Sequence, residues 1–211
     1  MTTTTTPRTK LLGVPRGRAR LRAAIGTDAP RWWWHVGCAV HAAPELGLMH
    51  RQPTLLLGND LTGAAELDAI EVDAGVDARA VHDALIAQAL AAVHAAPGQW
   101  GSALIVELPG VRDPDGRSPF WHGLGRHFHA GDIDAEAARF GAEDWRRHVA
   151  ALLPRQLLYT SFLPADAQAA IGGTREHALP LRAALEAAGF GFDGYLRIDD
   201  GGAVLQLAVR G

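Results

Sequence analysis

Cysteine is almost missing from this sequence. Cys38 stands alone among 211 residues, so no disulfide can close within the chain. Set in the apolar-leaning run 36–40, its thiol is expected to act as a small core residue. Long apolar runs are missing too. No stretch of about 18 uncharged apolar residues occurs, so no helix is expected to span a bilayer. The start, five threonines at 2–6 followed by Pro7, lacks the apolar segment of a secretory signal, and the expected location is cytoplasmic. A charge excess is also lacking. Twenty Lys and Arg face 23 Asp and Glu, for a net charge of −3, which leaves no electrostatic footprint for nucleic acid or an anionic membrane. Ten histidines are present, but they are scattered, and no metal site is expected.

What is present suits a folded chain. Apolar residues make up 48%, the level of an ordinary globular protein, and the length suffices for one good core. Residues 1–9 read as a disordered lead and residues 10–211 as a single mixed α/β domain, with no internal repeat or linker. Arg18, Arg20 and Arg22 alternate with Ala19, Leu21 and Ala23, so the arginines share one strand face. That face is either a solvated edge guarded by charge or an anion-binding surface. Residues 32–41, 53–58 and 66–72 read as strands. Residues 77–96 carry Val81, Leu85, Ala89, Ala92 and Val93 at helical spacing, and Pro97 and Gly98 stop that helix. Residues 102–108 form a further strand, so this stretch reads as a crossover joining two parallel strands.

Helices are expected over 118–128, where Ser118 precedes Pro119 as an N-cap, and over 134–140, 143–153, 164–171 and 179–188. Residues 190–198 and 203–209 flank Asp199, Asp200, Gly201 and Gly202 as a closing hairpin. Asn59 and Asp60 end a strand, where polar functional groups often sit in mixed α/β folds, although the pair also suits a turn. Glu107, near another strand end, has the chemistry to clamp a guanidinium through two hydrogen bonds, or it is a surface carboxylate. Trp32, Trp33 and Trp34 cannot all face one side of a strand; they are read as an interface or as burial on both faces.

Four blocks in order carry a resemblance. They are Val36-Gly-Cys-Ala-Val-His41 with Pro53-Thr-Leu-Leu-Leu-Gly-Asn-Asp60; Gly116-Arg-Ser-Pro-Phe-Trp121 with Leu124-Gly-Arg126 and Phe128; Tyr159 and Phe162-Leu-Pro164 through Ile171-Gly172; and Leu185-Glu186, Gly189-Phe190, Tyr195 and Asp200-Gly-Gly202. Together they resemble the arginine N-succinyltransferase family over roughly residues 23–206. The resemblance implies a GNAT-like acyl-CoA fold, a mixed sheet flanked by helices. It also implies transfer of succinyl from succinyl-CoA to the α-amine of arginine, in arginine breakdown. Succinyl-CoA would be a co-substrate, with no permanently bound cofactor, and the chain would assemble with itself or with a longer family member. Ile70 takes the place of a family leucine that contacts succinyl-CoA.

The departures from the family matter as much. Its basic, glycine-bearing loop before the long helix is here residues 73–83, with Asp73, Asp77 and Asp83. The family glycines fall on Ala80 and His82. Arg79 and Gly75 offset the acidity in part, and Arg79 is the cofactor-binding candidate beside Ile70. Arg175 falls on the family's catalytic histidine, and an arginine that stays protonated is a poor acid or base. His177, two residues on, is the catalytic candidate; His41 and His127 are further histidines, His41 expected to be packed or hydrogen-bonded in the core. Asn59, Asp60 and Glu107 are the substrate-binding candidates. The chain is expected to be shorter than the family at both ends. The rival readings are a non-catalytic paralogue that stabilises an active subunit, and an acyltransferase with another donor or amine.

Overall fold

A computed structural model describes residues 8–96 and 98–209. Most of the expected disordered lead, and Pro97, lie outside the described residues; Thr9 already belongs to the first strand. Among the described residues nine strands form one sheet in the order β1-β2-β5-β6-β9-β8-β3-β4-β7. They are β1 Thr9–Val14, β2 Gly17–Arg22, β3 Trp33–Ala43, β4 Leu48–Gly58, β5 Ala65–Val72, β6 Ala103–Glu107, β7 Leu158–Tyr159, β8 Gly191–Arg197 and β9 Ala203–Ala208. The helices are α1 Ala78–His94, α2 Pro119–Gly123, α3 Ile133–Phe140, α4 Ala142–Ala150, α5 Ala165–Ala169 and α6 Leu179–Ala187.

Helix α1 forms where periodicity places it. Asp77 caps it by accepting from the Arg79 amide at 3.0 Å, and Val81, Leu85, Ile86, Ala89 and Val93 make its buried stripe, as an amphipathic helix on a sheet requires. That stripe packs with Leu12, Leu21, Leu67, Leu104 and Leu205 of the sheet and with Leu185 of α6. A second cluster under the other half of the sheet joins Trp34, Leu55 and Leu196 to Phe120, Trp121, Trp145 and Val149 of the helices. Ile105, Val204 and Trp33 form a third cluster, as alternation along β6, β9 and β3 dictates. Adjacent tryptophans Trp33 and Trp34 are therefore buried in different clusters, which realises two-sided burial.

The helix over 118–128 is shorter than expected. Ser118 caps α2, accepting from the Trp121 amide at 3.2 Å, but Leu124 leaves helical geometry and a 3₁₀ turn follows at Gly125–His127. A Cβ on Gly125 would fall 1.9 Å from the Trp121 ring, so in this turn the indole leaves room for glycine alone.

Three local expectations are corrected. Strand β2 is not an edge: it lies between β1 and β5, and its arginines meet carboxylates of β5. Cys38 is exposed, because β8 pairs only Trp33–His35 of β3 and β7 only Thr54 and Leu55 of β4, which leaves a two-stranded ribbon beyond Gly37. His41 lies on the same ribbon, exposed, its ring bonded to the Tyr159 hydroxyl at 3.1 Å rather than packed in the core.

The crossover is present. β5 and β6 are parallel, and they are registered at Ala65↔Leu104 and Glu66↔Ile105 alone. Beyond those pairs β5 carries an extra residue. Arg18 and Arg20 of β2 face Glu71 and Asp68, so two steps on one strand span three on the other. Ala69, at φ 46°, is the bulge; one inserted residue bends the strand and interrupts its ladder. The two strands part there, and this parting creates the cleft described below.

The closing hairpin turns through Gly201 at φ 69°. A Cβ on the adjacent Gly202 would stand 2.1 Å from the Leu108 carbonyl oxygen. Gly202→Ala is expected to destabilise the protein by about 2–4 kcal/mol through forced backbone displacement, and Leu85→Ala by about 2–5 kcal/mol through a core cavity. Urea unfolding followed by tryptophan fluorescence measures both.

Candidate functional site

Where β5 and β6 separate, a cleft of about 310 Å³ opens. Leu67, Asp68, Ala69 and Ile70 line one side, and Val106, Glu107 and Pro109 the other. Helix α1 contributes His82, α4 contributes Glu143 and Arg146, and the 3₁₀ turn Glu176–Ala178 contributes His177, with Leu181 of α6 behind it. The Arg175 amide donates to the Pro109 carbonyl at 2.8 Å, which ties the His177 turn to the end of β6.

Of the six residues singled out from the sequence, the fold brings three to this cleft: Ile70, Glu107 and His177. Ile70 is half-buried and packs on the α1 core. His177 is exposed at the cleft's margin. The other three lie elsewhere. Arg79 is on the outer side of the α1 start, paired with Asp83 at 2.9 Å. Asn59 and Asp60 are exposed in the turn after β4, which the Asn59 carbonyl closes by accepting from the Thr62 amide at 2.9 Å.

Glu107 is the centre of a buried ionic network. Its Oε1 accepts from Arg31 and from the Trp33 indole, both at 2.7 Å, and its Oε2 from Arg146 at 2.5 Å. Arg31 also grips Glu66 with two bonds, 2.6 and 2.8 Å. Arg22 reaches Glu66 at 2.5 Å and pairs with Glu143, and Arg20 holds Asp68 at 2.7 and 2.8 Å. Burial by itself would raise the Glu107 carboxyl. Arg146, Arg31, Arg197 and the Trp33 bond outweigh burial and hold it well below the usual carboxylate range. The oxygens of Glu66, Asp68 and Glu143 lie within 4.8 Å of one another, a spacing open to a metal ion. Arg22 sits among them, 2.8 Å from Asp68, and supplies the positive charge there.

A second cleft, of about 400 Å³, adjoins the first across Glu107, Glu143, Arg146 and Arg197. Arg20, Arg22, Arg31, Arg147 and Trp32 line it as well. The network thus forms a shared wall of guanidinium and carboxylate groups between the two spaces. Arg197 holds the closing hairpin to this wall through Asp199 and Asp200, each at 3.3 Å. Burial raises Asp200 and its neighbour Asp199 raises it further.

Sequence reasoning picked Glu107 but missed the rest of its network. Arg31, Glu66, Arg146 and Arg197 come from four separate segments, and no spacing along the chain links them. The alternation of β2 was the one available signal, since it set three arginines on one face.

Glu107→Gln removes the charge that two buried guanidinium groups share, and is expected to cost about 3–5 kcal/mol. The sign of the pH effect follows from its depressed titration. The stabilisation is complete above the unfolded-chain value of about 4.3. It shrinks below that value, as the unfolded chain binds a proton that the folded chain refuses, and it is gone once the folded carboxyl protonates. Urea unfolding between neutral pH and pH 3 is therefore expected to show a shallower acid loss in Glu107→Gln than in the unaltered protein.

Comparison with known proteins agrees with this architecture. The family described as arginine N-succinyltransferase beta subunit matches residues 11–211. An arginine N-succinyltransferase of Yersinia enterocolitica is 34% identical over 201 residues, 95% of this chain and 57% of that protein. Another, of Salmonella arizonae, is 33% identical over 193 residues, 92% of this chain and 56% of the relative. The solved structure of arginine/ornithine succinyltransferase subunit AI from Pseudomonas aeruginosa superposes with a TM-score of 0.75 at 26% identity, over 92% of this chain and 55% of that one. The chain therefore spans little more than half the length of these relatives. Its mixed sheet is that of an acyltransferase fold, and the chain belongs to the arginine N-succinyltransferase family.

Proposed function

We propose that this protein works as an arginine N-succinyltransferase-type acyltransferase, with the cleft between β5 and β6 receiving succinyl-CoA. The observation that carries the reading is the parting of two parallel strands at a bulge, beside the start of a long helix, in a chain of this family. In such a cleft a linear thioester arm lies between strand edges whose backbone groups are free to bond it. The amine nitrogen of arginine attacks the thioester carbonyl, a C–N bond forms and the C–S bond breaks. The proton leaves the amine for a base and one returns to the departing thiolate. His177, at the mouth of the cleft, is the proton-transfer group in this reading. Ile70 packs against the arm, and Arg79 faces the phosphates once released from Asp83. Asn59 and Asp60 bind arginine from a neighbouring chain's side, since they lie away from the cleft in their own. Glu107 orients the guanidinium through its wall of charge.

Residues 10–211 act as one domain in this proposal, cytoplasmic and assembled with itself or with a longer family member. Among the described residues no helix is long and apolar enough to cross a membrane.

One observation favours a second reading, a non-catalytic stabilising subunit. Asp77 occupies the α1 N-cap, where a pyrophosphate would otherwise meet the positive helix end. The two readings separate in one experiment. Purified protein with succinyl-CoA and arginine is expected to release thiol above the blank, and His177→Ala to lower that rate about 10²–10⁴-fold. No release alone, with stimulation of a longer homologous chain on mixing, would establish the subunit reading instead.

A further inference from the structure

The two clefts meet across Glu107, Glu143, Arg146 and Arg197, and the charges at that junction are unevenly spent. Glu107 accepts on both oxygens, from Arg31, the Trp33 indole and Arg146. Glu143 pairs with Arg22. Arg197 serves Asp199 and Asp200. Arg146 has only Glu107, which Arg31 also holds, and it reaches that carboxylate through Nη1 alone. A guanidinium carries five N–H donors in a planar fork. Among the described residues, Nε and Nη2 of Arg146 bond to nothing, yet neither is one of the enclosed unpartnered atoms. They therefore open onto free space, and the space that Arg146 lines is the junction. The same holds for Nη1 of Arg197, whose Nε and Nη2 take the aspartates. The two side chains keep 18% and 17% of their surface exposed.

We propose that this junction is a carboxylate site, in which the Nε–Nη2 edge of Arg146 takes the free carboxylate of a dicarboxylic acyl group in two parallel hydrogen bonds. Paired N–H donors in one plane match the two oxygens of a carboxylate, and charge strengthens both bonds. Arg197 adds a further donor and a second positive charge. The edge is held ready, because Trp145 and Val149 of α4 are buried in the second core cluster and fix the helix that carries Arg146. A group positioned by packing has little freedom left to lose on binding. The junction offers donors but no free acceptor, since Glu107 and Glu143 are both paired. It therefore suits a plain carboxylate better than the zwitterionic end of an amino acid. The inference rests on the acyltransferase reading and deepens it. A succinyl group carries a carboxylate where a butyryl group carries a methyl, and Arg146 is the residue that tells the two apart.

Titration of the full chain with matched probes is the test. Monomethyl succinate copies the acyl group with an ester for the thioester, and methyl butyrate is the same chain without the charge. In spectra of ¹⁵N-arginine protein, monomethyl succinate is expected to shift the Arg146 Nε–H signal and methyl butyrate to leave it in place. Arg146→Gln is expected to bind monomethyl succinate about tenfold more weakly, and Arg146→Lys, a cation without the fork, to recover part of the loss. By calorimetry succinyl-CoA is expected to bind about tenfold more tightly than butyryl-CoA, a gap that Arg146→Gln closes. If the two CoA esters bind alike and the Arg146 signal ignores monomethyl succinate, the carboxylate site falls and the acyl-CoA reading stands. If monomethyl succinate shifts the signal but neither CoA ester binds, the site stands and the acyl-CoA reading falls. If arginine shifts the signal while agmatine and monomethyl succinate do not, the carboxylate is the amino acid's and the assignment to the acyl group is overturned. Should Arg146→Gln fail to fold, the Nε–H titration of the unaltered protein decides.

Discussion

Glu107 and the two arginines that share it hold this architecture together. β6 ends on a carboxylate that would be costly to bury alone, since desolvating a charge without a partner takes several kcal/mol. Arg31, from the segment before β3, and Arg146, from α4, both converge on it, with the Trp33 indole filling the remaining direction. That convergence pins three stretches of chain that sequence separation keeps far apart. Through Arg31 it extends to Glu66 on β5, and so reaches the strand on the far side of the cleft. The bridge reaches β5 at Glu66, the last residue that β6 still pairs, so charge fixes the cleft at its root while the bulge at Ala69 opens it beyond.

The same network divides labour across the sheet. Apolar packing dominates where α1 and α6 cover the sheet, with Leu85, Leu104 and Leu185 fully enclosed. Around Glu107 the side chains are instead ionic and hydrogen-bonded, and they bound two adjoining cavities. A site of this kind is polar without being floppy: each guanidinium there has at least one carboxylate partner, and planar paired geometry restricts its rotation. His82 is different in character. It reaches the cleft from α1, in a lining that holds Ile70, Val106 and Leu181 as well as the charged groups.

Much of the fold was legible in the sequence, for reasons that differ by element. α1 was readable because a long stripe of apolar residues at helical spacing has few competing interpretations. The closing hairpin was readable because two glycines follow two aspartates between β-rich segments. The parallel crossover followed from the order of those elements. The exposed position of Cys38 and His41 was not readable, because nothing local marks where a neighbouring strand stops pairing. The interior position of β2 was hidden for the opposite reason: alternating arginines look solvated until their carboxylate partners on β5 are known. At the cleft, Glu107 could be picked out by type and place, and His177 was a candidate through the family resemblance. The contacts that set Glu107 in its network are long-range, and they exist only once the sheet order is fixed.

The β3–β4 ribbon carries its own consequence. Between residues 37 and 53 its ladder is two strands wide, with Val40, Leu48 and Met49 turned to solvent, and such ribbons are marginal by themselves. Its outer half is therefore expected to open locally, apart from the rest of the sheet. Amide protons there are expected to exchange through that local opening rather than through unfolding of the whole. Pro53, at the root of the ribbon beside the residues that β7 pairs, has no N–H for a further strand to bond there.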